Sequence, residues 1–172
     1  MTMRRLILFR HAKAVPHDAA PDPDRDLTER GRKDARFMGG YCVDEMLLPD
    51  LVLVSPAVRT RRTWECASSV LKDVPVEFDS AIYLADMGRL LELVRSTRDD
   101  VKCLMLVGHN PGIEDLARGL VSHGDRYAFA RMERKFPTAG LAVLDFDAEH
   151  WRDVAPKSGR LDRFRVPHDE GG

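Results

Sequence analysis

The sequence predicts an α/β fold, a three-layer α/β/α sandwich around a mainly parallel central sheet, with an antiparallel edge added late in the chain. Three observations predict it. Two short unbroken apolar runs, Leu6-Ile7-Leu8-Phe9 and Cys103-Leu104-Met105-Leu106-Val107, have the length and character of strands buried on both faces. Segments with apolar residues at helical spacing alternate with such runs. The 172 residues, 44% hydrophobic and 32% charged, suffice for a substantial core. No repeat, low-complexity segment or linker divides them, so residues 1–172 read as one domain.

Leu6 to Phe9 reads as the first strand, ending on Arg10-His11. Pro16 to Asp26, dense in Pro and Asp, reads as a loop, and its place after a central strand puts it beside any crevice at that end of the sheet. Thr28 suits a helix N-cap, with Glu29 at the positive end of the dipole. Ala35, Met38, Cys42 and Met46 recur at helical spacing, so the helix runs to about Glu45, weakened locally by Gly39-Gly40. Leu51 to Val54 is the second strand. Ser55-Pro56 opens the next helix, Ser as cap and Pro at its first position, with Thr63, Cys66, Ala67 and Val70 on one face. Val76 to Phe78 is a short strand. Met87 to Thr97 is an amphipathic helix with Met87, Leu90, Leu91 and Val94 on one side. Val101 to Val107 is a strong strand, and Pro111 opens the helix after it. Gly124 to Lys135 reads as irregular and basic. Leu141 to Phe146 is a further strand, with Trp151 to Val154 a candidate partner, and Pro167 to Gly172 reads as a frayed end.

Composition excludes several classes. Lys+Arg 27 against Asp+Glu 28 gives a formal net charge of -1, so no basic excess points to nucleic acid and no acidic block to a solvating tail. Cys42, Cys66 and Cys103 are odd in number and lack metal-site spacing, which predicts a reduced, cytoplasmic setting. The apolar stretch after Arg4-Arg5 ends at Phe9, too short for a signal segment, and no apolar run is long enough for a membrane span. Neither export nor membrane insertion is expected.

Both strong apolar runs end beside a histidine: Arg10-His11 follows the first, Gly108-His109-Asn110 the second. In open α/β sheets ligands gather beyond the carboxyl ends of the strands, so His11 and His109 are expected to meet in one crevice with Arg10 beside the first. Ser55, Pro56 and Arg59 follow the second strand to the same end. Arg59, about one turn into its helix, reaches back over the strand end. The helix openings at Pro56 and near Pro111 offer backbone donors and a favourable field for an anion. A nucleophile, a second donor and guanidinium forks suit a phosphoryl group.

An ordered set of pieces resembles the histidine phosphatase superfamily, also called phosphoglycerate-mutase-like. These are Phe9-Arg10-His11, Leu27-Thr28-Glu29-Arg30-Gly31, Ser55-Pro56 with Arg59 and Thr63, and Gly108-His109-Asn110-Pro111, spanning residues 9 to 111. Within the superfamily the chain looks most like the small bacterial phosphohistidine phosphatases of the SixA type, whose segments Pro137-Thr138-Ala139 and Gly159-Arg160-Leu161 are similar to. The wider superfamily has Gly after its first His where this chain has Ala12, a methyl that narrows the pocket if it faces it; the SixA-like branch accepts Ala, often followed by Lys as in Ala12-Lys13. The resemblance implies that His11 attacks phosphorus and is transiently phosphorylated. It implies that Arg10, Arg59 and His109 hold the phosphoryl oxygens, with Arg25 a further substrate contact, and that water then releases phosphate without a metal or cofactor.

Larger relatives protonate an alkoxide leaving group with a carboxylic acid. Asp86 is the one weak candidate here, and a helix cap is the plainer role for it. Lack of an acid favours a leaving group that departs easily, such as the imidazole of phosphohistidine. The leading expectation is a metal-independent phosphatase acting on protein phosphohistidine or a small phosphorylated compound. A phosphatase or mutase of small phosphoesters, or a non-catalytic module that docks a phosphorylated partner, stay open as alternatives. His17, His123, His150 and His168 read as surface residues, Arg131, Arg134 and Lys135 as a solvated basic face, and Trp64 and Trp151 as packing residues.

Overall fold

Seven strands form one sheet in the computed structural model, which describes residues 2–168. They are β1 (Met3–Arg10), β2 (Leu51–Val54), β3 (Val76–Phe78), β4 (Cys103–Gly108), β5 (Val121–Gly124), β6 (Leu141–Asp147) and β7 (Gly159–Arg165). Their spatial order is β3-β2-β4-β1-β6-β7-β5. From β3 to β1 every neighbour is parallel; β6 is antiparallel to both β1 and β7, and β5 is parallel to β7. The sheet is therefore mostly parallel, and the antiparallel pairs lie on one side of β1.

The helices are α1 (Glu29–Asp44), α2 (Val58–Ser68), α3 (Met87–Arg95), α4 (Gly112–Leu120) and α5 (Arg126–Arg134). Because side chains alternate across a strand, the unbroken apolar runs feed two cores at once. Ile7, Phe9, Val52, Val54, Met105 and Val107 pack with Ala35 and Met38 of α1 and Trp64 and Ala67 of α2. Leu6, Leu8, Leu51, Leu53, Leu104 and Leu106 pack with Leu90 and Val94 of α3, Ile113 and Leu116 of α4 and Met132 of α5. This double burial is the three-layer arrangement expected of such strands.

Several expectations need correction. Gly124 to Lys135 is not irregular: β5 ends at Gly124 and α5 follows. The Asp125 side chain accepts from the Ala128 N–H at 2.8 Å, and Ala128 and Met132, four apart, are buried. Basic residues on the outer face hid that stripe. Trp151 to Val154 does not pair with β6. Trp151–Asp153 is a 3₁₀ turn in which Trp151 donates its N–H to Asp99 Oδ1 and its indole N–H to the Val101 carbonyl. The partner of β6 is β7, whose buried Leu161 and Phe164 stand among Arg160, Asp162, Arg163 and Arg165. The helix after β2 begins at Val58, with Ala57 as an N-cap that makes no side-chain bond, so Ser55 is not a cap. Of the expected frayed end at Pro167 to Gly172, residues 169–172 lie outside the described residues. No helix among the described residues is long and apolar enough to cross a membrane.

Candidate active site

Beyond the carboxyl ends of β1, β4 and β2 opens a cavity of about 380 Å³ lined by Arg10, His11, Lys13, Arg25, Arg59 and His109, with Ala14, His17, Asp22, Leu84, Asn110 and Thr138 completing it. Strand register explains why residues so distant in sequence meet. Arg10 pairs with Gly108 across β1 and β4, and the His11 N–H continues that ladder to the Gly108 carbonyl at 3.0 Å. Each histidine is thus the first residue past its strand. Their rings lie 5.5 Å apart, centroid to centroid.

His11 is buried and its Nδ1–H donates to the Ala12 carbonyl at 2.7 Å. That bond fixes the tautomer and leaves Nε2 with a free lone pair. Burial, with the charges of His109, Arg10 and Arg59, lowers its pKa to about 3, so the ring is neutral at pH 7. His109, also buried, has Nε2 2.8 Å from Ser55 Oγ. Burial, then the Arg59 charge, lowers its pKa to about 4. Here is the role of the serine expected as a cap: its hydroxyl is committed to His109, 2.8 Å away, and only weakly engaged by the Ala57 N–H at 3.4 Å.

Arg10 reaches across to Phe136, donating from Nη1 to its carbonyl at 2.9 Å. Asn110 donates to the same carbonyl at 3.0 Å and accepts from the Glu114 N–H at 3.2 Å, so it ties the first turn of α4 to the turn after β4. Arg59, in the first turn of α2 rather than a turn further on, is buried and donates from both Nη atoms to Asp22. Arg25 donates to Asp22 Oδ1 and, from Nη1, to the Val15 carbonyl at 2.9 Å. Among the described residues, Arg10 Nε, Arg59 Nε and His109 Nδ1 are buried without a protein partner. Buried polar atoms of this kind call for a partner, and an anion with several oxygens supplies one.

The remaining expectations sort plainly. Ala12 is wholly buried in the α1–α2 core, so its methyl does not narrow the cavity; its N–H donates to Thr63 Oγ1 at 2.9 Å. Lys13 lines the cavity. Pro56 does not: it lies on a separate groove with Arg61, Trp64 and Phe78. Asp86 caps α3, accepting from the Arg89 N–H at 2.9 Å, and does not line the cavity. His17 and Asp22 do line it, although neither was expected to, and Tyr83 stands behind, its ring edge-on to His109 with centroids 5.5 Å apart. The signal for Asp22 was its place in the loop bordering the crevice, three residues before Arg25. Nothing in the sequence marked Tyr83. Among the described residues no three His, Cys, Asp or Glu side chains are grouped as metal ligands.

The family model of the histidine phosphatase superfamily (branch 1) matches residues 6–102. The chain is 37% identical over 161 residues to the uncharacterized protein Rv1276c of Mycobacterium tuberculosis, covering 92% of this chain and 99% of that one. Among solved structures it is similar to SixA of Agrobacterium tumefaciens, a candidate phosphohistidine phosphatase, with a TM-score of 0.80 and 32% identity over 95% of this chain and 98% of that one. It is also similar to SixA of Nakamurella multipartitia, described in the same terms, with a TM-score of 0.83 and 26% identity over 98% of this chain and 99% of that one.

Proposed function

The chain belongs to the histidine phosphatase superfamily, and on that premise we propose that it is a metal-independent phosphatase whose His11 becomes transiently phosphorylated, acting on protein phosphohistidine. The observation that carries the reading is the His11 ring. It is neutral, buried and pinned by Nδ1–H to the Ala12 carbonyl, with Nε2 as its only nucleophilic atom. In the first step Nε2 forms a bond to phosphorus while the bond to the leaving group breaks, the electron pair going with the leaving group. In the second, water attacks phosphorus, the N–P bond breaks, and phosphate and neutral His11 are regenerated.

Arg10, Arg59 and His109 hold the phosphoryl oxygens, with Arg25 as a further substrate contact. The buried donors Arg10 Nε and Arg59 Nε suit that role. When the Ser55 hydroxyl donates to His109 Nε2, His109 carries its proton on Nδ1, which then donates to phosphoryl oxygen as well. The cavity's only carboxylate among the described residues, Asp22, already accepts from Arg25, Arg59 and Tyr83 and has its pKa lowered to about 2, so it is no proton donor at neutral pH. An imidazole leaves a phosphoryl group with little help, an alkoxide does not, and this favours phosphohistidine over sugar phosphates. The similar SixA proteins are described as candidate phosphohistidine phosphatases, which agrees with this choice.

The test is phosphate release from a phosphohistidine peptide by the native chain and by His11→Ala, with small phosphoesters in parallel. The native chain should turn over the peptide fastest and retain activity in a chelator. His11→Ala should lose more than about a thousandfold in kcat while melting at a similar temperature. Unchanged turnover by the variant would remove His11 as the nucleophile.

A further inference from the structure

Asp22 stands where an acid is least expected, in the wall of a pocket whose other charged side chains are Arg10, Lys13, Arg25 and Arg59. It lies on the 3₁₀ turn Asp22–Asp24 within the loop that follows β1. Its Oδ1 accepts from Arg25 Nε at 3.2 Å and Nη2 at 3.1 Å. Its Oδ2 accepts from Arg59 Nη2 at 3.1 Å and from the Tyr83 hydroxyl. Its backbone carbonyl accepts from Arg59 Nη1 at 2.7 Å. One residue thus takes both arms of the Arg59 fork and one edge of the Arg25 fork, and ties down the tyrosine that packs on His109.

Four donors saturate the carboxylate, so it has no lone pair left for a substrate proton. What it contributes to the pocket is geometry and a fixed negative charge. Both Nη atoms of Arg59 are directed at Asp22, and its buried Nε–H has no protein partner. The charge cancels part of the field of Arg10, Lys13, Arg25 and Arg59, so a further anion beside the phosphoryl group gains less from those cations, by about tenfold in affinity at a separation of several ångströms in a partly buried site.

We propose that Asp22 is a positioning and specificity-determining residue, which sets the two guanidinium planes and disfavours substrates carrying a second anionic group next to the phosphoryl group. The proposal rests on the phosphatase reading and names the substrate property that its site selects: a neutral or cationic leaving group, as an imidazole is.

Two ligands that differ by one carboxylate, methylphosphonate and phosphonoacetate, separate the effects by calorimetry, with turnover of N-phosphoimidazole measured alongside. In the native chain Asp22 should hold down the affinity that the added carboxylate gains from Arg10 and Lys13. In Asp22→Asn the preference should move toward phosphonoacetate by about tenfold, while kcat on N-phosphoimidazole falls through looser arginines. Asp22→Glu, which keeps the charge on a longer arm, should keep the native preference even where kcat falls. An Asp22→Asn change equal for both ligands would overturn the proposal and leave Asp22 a structural strap. Absence of turnover with the predicted binding pattern intact would instead count against the phosphatase reading alone.

Discussion

At the residue scale the account turns on two histidines that stay neutral because they are buried among cations. Their pKa values, about 3 for His11 and about 4 for His109, lie below the ordinary 6.5. An unfolded chain takes up protons on both as pH falls through 6.5, whereas the folded one does not until about 4 for His109 and about 3 for His11. Stability is therefore full above pH 6.5 and falls toward pH 4, by up to about 1.4 kcal/mol per pH unit for each histidine. Denaturant titrations at several pH values should show this loss, and His11→Gln should make it shallower. An equal slope in the variant would place the His11 pKa near its ordinary value. Which residues gather was legible from their places at strand ends: His11, His109, Arg10, Arg59 and Arg25 all line one cavity. Asp22 and Tyr83 were harder, because a loop acid and a tyrosine before α3 gain their meaning only when two loops close over Arg59.

At the element scale, glycines report where helices press on the site. A Cβ on Gly31 would stand 2.2 Å from the Lys13 carbonyl oxygen, so Gly31 lets α1 lie against the segment that follows His11. The Thr28 N–H donates to that same carbonyl at 2.9 Å, and the Thr28 side chain caps α1 at the Gly31 N–H. Gly39 and Gly40 look alike in the sequence as helix-weakening neighbours. The packing separates them: a Cβ on Gly39 would meet the Ala67 carbonyl oxygen of α2 at 2.3 Å, while one on Gly40 meets nothing within 4 Å. Gly40→Ala should stabilise by about 0.5–1 kcal/mol through helix propensity. Gly39→Ala should destabilise by about 1–3 kcal/mol by forcing α1 and α2 apart. Thermal melts of the two variants check this, and equal shifts would mean that α1 and α2 do not touch there. The ends of α2 and α5 were less legible. Ser55 has the identity of a cap but gives its hydroxyl to His109, and the apolar stripe of α5 is only two buried residues wide.

At the scale of the whole molecule, the parallel half of the sheet could be read from unbroken apolar runs, because strands buried on both faces need no alternation to be recognised. Of the antiparallel half, an antiparallel edge and β6 were legible, and β5 and β7 were not. One face of β7 carries Arg160, Arg163 and Arg165, which meet Asp145, Glu45 and the Phe37 and Tyr41 rings, so charge screens the buried Leu161 and Phe164. That half still matters to the site, since β6 braces β1 and the segment before it supplies the Phe136 carbonyl and Thr138. The fold thus delivers to a single cavity, lined by Arg10, Lys13, Arg25 and Arg59, a neutral imidazole with one nitrogen free of hydrogen bonds. Rapid acid-free quenching of the native chain with N-phosphoimidazole, followed by identification of the phosphorylated atom by mass spectrometry and phosphorus NMR, tests this most directly. The account predicts a phosphoryl group on Nε2 of His11 that forms and decays at rates able to support turnover. Turnover with His11 unmodified, or with the phosphoryl group on another residue, would contradict it.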